Sequence, residues 1–171
     1  MRPIWPEDWQ IVLSAIADEG VVRNLARAPW PYRENDARAF TALPIEPRFP
    51  RFLIIRAEDS ALVGCIGIDP VKHDAQAVEL GYWIAREHWG HGFATEAGRA
   101  VLQIAATLGY ARMVAGHFLD NPASGRVIEK LGFAPTGEVR KRYSCARGTE
   151  APAREYVLDL NAMQVVAQQA A

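Results

Sequence analysis

The sequence predicts an α+β fold: a mostly antiparallel mixed sheet flanked by helices, interrupted once by a parallel strand–turn–helix–strand unit. Three observations predict it. Short runs rich in β-branched residues face each other across polar turns. Two stretches with apolar residues at helical spacing lie among later strands. Between one strand and one helix sits a glycine-containing turn, Trp89-Gly90-His91-Gly92-Phe93-Ala94. The 171 residues are 50% hydrophobic and 23% charged, which suits one globular domain with one sizeable core. That domain is assigned to residues 1–163, and the Ala- and Gln-rich stretch 164–171 to a C-terminal tail.

Pro6-Glu7-Asp8 places acidic residues where a helix N-terminus favours them. Trp9, Val12, Leu13 and Ile16 follow at helical spacing, predicting a helix over about 7–18. A shorter helix is expected over 21–28, ending before Pro29-Trp30-Pro31. Asn35 or Asp36 can cap a third, running to about Leu43. The period then changes: strands are predicted over 52–55 and 62–68, joined as a hairpin, and over 78–85. After the glycine turn, Ala97, Val101, Ile104 and Leu108 mark a helical face ended by Gly109. A strand over 113–118 follows. Asn121-Pro122 then starts a helix with the stripe Ala123, Val127 and Leu131. The last two strands are expected over 137–143 and 154–160.

The formal net charge is −1 with no long run of one sign, so neither nucleic acid nor a membrane surface is an expected partner. No apolar run approaches the roughly 18 residues of a membrane helix. The N-terminus lacks a signal-peptide pattern, and a cytoplasmic location is expected. Cys65 and Cys145 have no metal-type spacing and read as reduced thiols, and no metal site is expected.

A helix N-terminus leaves main-chain N–H groups unpaired and carries partial positive charge. Small residues there let an anion approach the backbone, so the turn suits a phosphate or pyrophosphate. Taken alone, a G-x-G-x-A turn is equally a tight connection that binds nothing. The G-x-G-x-x-G of dinucleotide folds and the Gly-Lys-Ser/Thr of P-loops are both lacking.

Longer segments add specificity. Glu79-Leu80-Gly81-Tyr82-Trp83-Ile84, followed by Trp89 through Ala97, resembles the acetyl-coenzyme A motif of the GNAT acetyltransferases. Asn121-Pro122-Ala123-Ser124-Gly125-Arg126-Val127-Ile128-Glu129-Lys130-Leu131-Gly132-Phe133 resembles their second signature. Both are similar to the branch holding the ribosomal-protein alanine N-acetyltransferases. One departure is Trp89, where Arg or Gln is usual. The resemblance implies a GNAT-type fold and transfer of acetyl from acetyl-coenzyme A (a co-substrate) to a primary amine. The acceptor is a protein N-terminus or a small molecule, and the chain is a monomer or homodimer. A different class, a catalytically silent coenzyme A-binding sensor, stays open.

The resemblance further implies that Tyr82, Trp83 and Ile84 pair with the pantetheine arm like an added strand. The pyrophosphate would rest on Gly90, His91, Gly92, Phe93, Ala94 and Thr95. Asn121 would bond the arm while also capping its helix. A main-chain N–H near Ile84 would serve the developing oxyanion. Many members place a Tyr where this chain has Ile128. In its stead Ser124 would hydrogen-bond the cofactor's thiolate, or else face water in the first helix turn. For the base, Glu79 and His117 are rivals, each with a structural alternative as ion-paired strand carboxylate or packed histidine. Trp30 and Tyr32 border the acceptor region of relatives, with Trp30 expected to pack helices and Tyr32 to line the groove. Arg140, Lys141, Arg142 and Tyr143 form a basic strand face.

Overall fold

The computed structural model describes residues 1–161, so the expected tail over 164–171 lies outside the described residues. Seven strands form one sheet in the order β1-β2-β3-β4-β5-β7-β6. The strands are β1 (Arg2–Pro3), β2 (Arg51–Ile55), β3 (Leu62–Val71), β4 (Asp74–Ile84), β5 (Arg112–Phe118), β6 (Ala134–Ser144) and β7 (Thr149–Asp159). All neighbours are antiparallel except β4 and β5, which are parallel. The expected mixed sheet with one parallel unit is thus the observed one.

The two-residue β1 has no periodicity to reveal it in sequence. It is tied down by Arg2, which bonds both Asp8 carboxylate oxygens at 2.7 Å. Asp8 also accepts from the Trp5 N–H at 2.8 Å. The helix expected over 7–18 is a 3₁₀ turn (Pro6–Asp8) followed by α1 (Trp9–Ile16). The second helix is a single turn, α2 (Glu19–Val22), rather than a run over 21–28. In α3 (Glu34–Thr41), Asp36 accepts from the Arg33 N–H at 2.8 Å from inside the helix, so neither Asn35 nor Asp36 is the cap residue.

Helix α4 (Phe93–Thr107) makes the crossover from β4 to β5. It buries Ala94, Ala97, Gly98, Val101, Leu102, Ala105 and Ala106. Leu108 is exposed, so the buried stripe is offset from the expected one. The reason is close approach: a Cβ on Gly98 would stand 2.6 Å from the Leu131 side chain. Helix α5 (Pro122–Lys130) buries Gly125 and Ile128, Val127 packs partly buried against the same core and Leu131 is buried just past its end, while Ala123 is exposed. Its Gly125 lies against His117, 2.7 Å from where a Cβ would be.

Two cores cover the two faces of the sheet. One packs Leu80, Val78, Ile66 and Tyr156 against Val101, Leu102 and Ile128 from α4 and α5. The other packs Leu53, Cys65, Trp83 and Ala85 against Val12, Ile16, Val22 and Tyr32. Burial of such side chains stabilises by about 1.5–3 kcal/mol each.

Candidate active site

The parallel pairing of β4 with β5 is short. It runs from Ala77–Arg112 to Glu79–Val114 and stops, although β4 continues to Ile84 and β5 to Phe118. Beyond Glu79 the two strands are no longer paired, which leaves a seam between them. Register decides which main-chain groups face it. The Ala85 N–H bonds the Val63 carbonyl at 2.8 Å, and Cys65–Trp83 and Gly67–Gly81 continue that register. Hydrogen-bonded pairs alternate in an antiparallel ladder, so residues 81, 83 and 85 turn their N–H and C=O toward β3. Leu80, Tyr82 and Ile84 turn theirs toward the seam. Of the three expected pantetheine partners, Tyr82 and Ile84 are therefore oriented for strand addition, and Trp83 is not. The Trp83 side chain is packed in the second core.

The seam leads to the glycine turn. Gly90 (φ 82°) and Gly92 (φ 85°) are both left-handed, which side chains resist. A Cβ on either would meet nothing within 4 Å, so the space above the turn is open. Gly92 is the N-cap of α4. Its carbonyl accepts from Thr95 and Glu96, both at 3.0 Å. Among the described residues, none accepts from the main-chain N–H of Gly90, His91, Gly92, Phe93 or Ala94. These donors and the helix dipole suit a diphosphate. Thr95, expected among them, has its N–H already committed. Trp89 is exposed and folds back on the end of β4: its indole N–H donates to the Ile84 carbonyl at 2.7 Å, and the Arg86 guanidinium lies 5.4 Å from its ring centroid.

Across the seam, Asn121 caps α5 through its side-chain oxygen, 3.3 Å from the Ser124 N–H. Its amide donors stay available, as the cap geometry predicts. The Ser124 hydroxyl lies 2.7 Å from the Tyr82 phenol oxygen. Burial pushes the Tyr82 pKa up to about 12 even though Ser124 pulls it down. Ile128 is 1% exposed and belongs to the core.

On the sheet face opposite α4 and α5, Arg142 donates to Glu79 at 2.5 Å and lies 3.2 Å from Glu155. Burial disfavours charge on Arg142, but Glu79 and Glu155 outweigh it and hold the pKa above its usual value. Burial also holds Glu155 above the usual carboxylate range, with Arg142 opposing. Gly81 and Gly116 leave the sheet bare beside this cluster: Gly81 has open space above it, and a Cβ on Gly116 would be 3.4 Å from both Arg142 and Glu155. The basic strand face divides accordingly. Arg142 points inward, Arg140 pairs with Glu138, and Tyr143 is exposed.

His117 lies elsewhere. Its Nδ1 is 2.8 Å from the Phe118 carbonyl, its Nε2 is 3.4 Å from the Tyr156 hydroxyl, and Gly125 seals it. Both ring nitrogens have partners in the core on the far side of the sheet from Glu79, the arrangement of the packed-histidine alternative. The burial of Trp30 and Tyr32 is the opposite of the expected one. Tyr32 is buried among Leu53, Cys65 and Trp83, and burial pushes its pKa up to about 12. Trp30 is 41% exposed, after which a cis peptide precedes Pro31. Cys65 is buried and Cys145 exposed, both as free thiols. A cavity lined by Phe49, Pro70, Val71 and Ala77 lies at the hairpin end of β4, away from the seam. Among the described residues there is no cluster of three or more potential metal ligands, and no helix is long and apolar enough to cross a membrane.

Parallel strands whose pairing stops short, an anion-ready turn and a capped helix opposite define the acetyltransferase class. The chain belongs to the GNAT family: the acetyltransferase (GNAT) domain model matches residues 1–134. It is 31% identical over 153 residues to the uncharacterized N-acetyltransferase YoaA of Bacillus subtilis, covering 87% of this chain and 86% of that one. Its fold is that of RimL, a ribosomal L7/L12 α-N-protein acetyltransferase solved with coenzyme A (TM-score 0.80, 17% identity, 94% and 93% of the two chains). It is also that of spermidine N-acetyltransferase from Vibrio cholerae, solved with coenzyme A and spermine (TM-score 0.76, 18% identity, 93% and 94%). The protein is accordingly an N-acetyltransferase of this family.

Proposed function

We propose that the chain transfers acetyl from acetyl-coenzyme A to a primary amine by direct attack in a ternary complex. The observation that carries this reading is the seam. It presents the Tyr82 main-chain groups and the Ile84 N–H along the strand edge, the Ile84 carbonyl being taken by the Trp89 indole, and it ends at the N–H groups of 90–94, which have no acceptor among the described residues. A pantetheine arm adds to such an edge, and a diphosphate fits such a turn. When bound, the co-substrate supplies an acetyl thioester. The Ile84 N–H faces the seam and can donate to a carbonyl oxygen there. Asn121 holds the arm through its free amide, and Ser124 offers a hydroxyl to the departing sulfur. Glu79 stands where pairing of the strands ends and takes the amine's proton, directly or through water. The acceptor lies on the Glu79 face, over Gly81 and Gly116. Among similar folds, one named acceptor is a ribosomal protein and another is spermidine. The acceptor here is a protein N-terminus or a small amine, used in the cytoplasm by a monomer or homodimer.

Radiolabelled acetyl transfer across a panel of peptides and small amines tests the reading. At least one amine should be labelled, and Glu79→Gln should lower kcat/KM by roughly 100-fold. Coenzyme A that raises the melting temperature while no amine is labelled would replace the enzyme with a silent sensor.

A further inference from the structure

We propose that the Tyr82 phenol orients the Ser124 hydroxyl toward the sulfur of the departing thiol, which makes Tyr82 a positioning residue for acyl transfer. This rests on the reading of the seam given above. The pair bridges the seam: Tyr82 comes from β4, and Ser124 from the first turn of α5. Their oxygens are 2.7 Å apart, while the Tyr82 hydroxyl is 3.3 Å from the Ser124 carbonyl. The Tyr82 ring is packed against the core under α4 and α5. Ser124 is fixed from the other side, its N–H held by the Asn121 side chain at 3.3 Å and the Asn121 carbonyl at 3.2 Å. Neither oxygen is free to wander.

A serine hydroxyl has one proton. If that proton points at Tyr82, none is left for sulfur. If Tyr82 donates to Ser124, the serine proton is free to point into the seam. Either oxygen can donate across the 2.7 Å contact, and in the proposed arrangement Tyr82 donates to the serine Oγ rather than to the Ser124 carbonyl at 3.3 Å. Burial pushes the phenol's pKa up to about 12, so Tyr82 keeps its proton and donates a hydrogen bond rather than the proton itself. Ile128, buried in the core, offers no hydroxyl that could replace the pair.

In the transfer, the amine nitrogen forms a bond to the carbonyl carbon and the carbon–sulfur bond breaks. The electron pair leaves on sulfur, where the Ser124 O–H donates to it. The amine's proton goes to Glu79 or to water, and the thiolate is protonated from solvent on release.

The test needs no acceptor. The thiol of bound coenzyme A is titrated by its thiolate absorbance in the wild type, Tyr82→Phe, Ser124→Ala and the double variant. The wild type should hold this thiol about one pH unit below all three variants, which should agree with one another. With an acceptor, kcat of Tyr82→Phe should fall about tenfold while coenzyme A affinity stays within about twofold. A bound-thiol pKa that is unchanged in Tyr82→Phe overturns the proposal. So does one that drops, because removal of the phenol would then have released a serine proton that had pointed at it. A Tyr82-dependent thiol in a protein that acetylates no amine would sink the acetyl-transfer reading and leave the pair standing.

Discussion

Along β4 and the turn after it, the seam offers main-chain groups: those of Tyr82, the Ile84 N–H and the N–H groups of 90–94. The face that carries Glu79 offers charged side chains gathered from β4, β6 and β7. On the proposed reading, the difference separates how the two substrates are recognised. A main-chain site reads only an extended amide arm and a diphosphate, and it tolerates side-chain change wherever the backbone can still adopt its shape. That explains how Trp89 can stand where Arg or Gln is usual. It spends its indole on the Ile84 carbonyl and supplies no charge to the turn. The opposite face depends on side-chain identity, because Arg142 is held between two carboxylates.

The comparison predicts separable effects. The largest is expected for Gly92→Val, since a β-branched residue at φ 85° costs about 1–3 kcal/mol and would project into the open space above the turn. Coenzyme A affinity by calorimetry should fall roughly tenfold to a hundredfold, with the acceptor KM unmoved. Equal loss on both sides would break the division. Arg142→Met comes next: the acceptor KM should change by about threefold to tenfold, because the ion-pair partner of Glu79 is lost, while coenzyme A affinity holds. A change confined to coenzyme A affinity would place Arg142 on the donor side.

The smallest effect concerns pH. Glu155 has its pKa raised by burial, so the folded chain binds this proton more tightly than the unfolded chain. That stabilisation is complete below the unfolded pKa, about 4.3, and is lost as pH rises through the folded pKa. Glu155→Gln is always neutral. It should melt roughly 1–3 °C higher than wild type near neutral pH, and the gain should vanish at about pH 4. A gain that does not depend on pH would deny Glu155 its buried charge.

Local features were legible in the residues. The glycine turn between strand and helix and the Asn121-Pro122 start of α5 depend on neighbours a few positions apart, so their chemistry is written in order along the chain. Features made by distant residues were not. Glu79 and Arg142 are 63 positions apart. Tyr82 and Ser124 are 42 apart, and nothing in either segment announces the other. Tyr32 is expected in the groove because its segment borders the acceptor region of relatives, yet it packs with Val12 and Ile16 of α1 while Trp30 is exposed. His117 fits the chemistry of a base by residue type, and only the glycine at 125, which lets α5 settle onto it, shows why it is enclosed. Helical spacing named a stripe on both α4 and α5. Ala97, Val101 and Leu131 of those stripes are buried, and Gly98 and Gly125 add close contacts that spacing alone does not name.

The short β4–β5 pairing has a consequence for how the molecule assembles. Strands β1 to β4 and strands β5 to β7 are two antiparallel leaves, joined edge to edge through the pairs from Ala77–Arg112 to Glu79–Val114. The hairpins β2–β3, β3–β4 and β6–β7 close short loops, whereas this join is closed through the α4 crossover. The proposed line of binding is therefore also the line along which the two leaves meet.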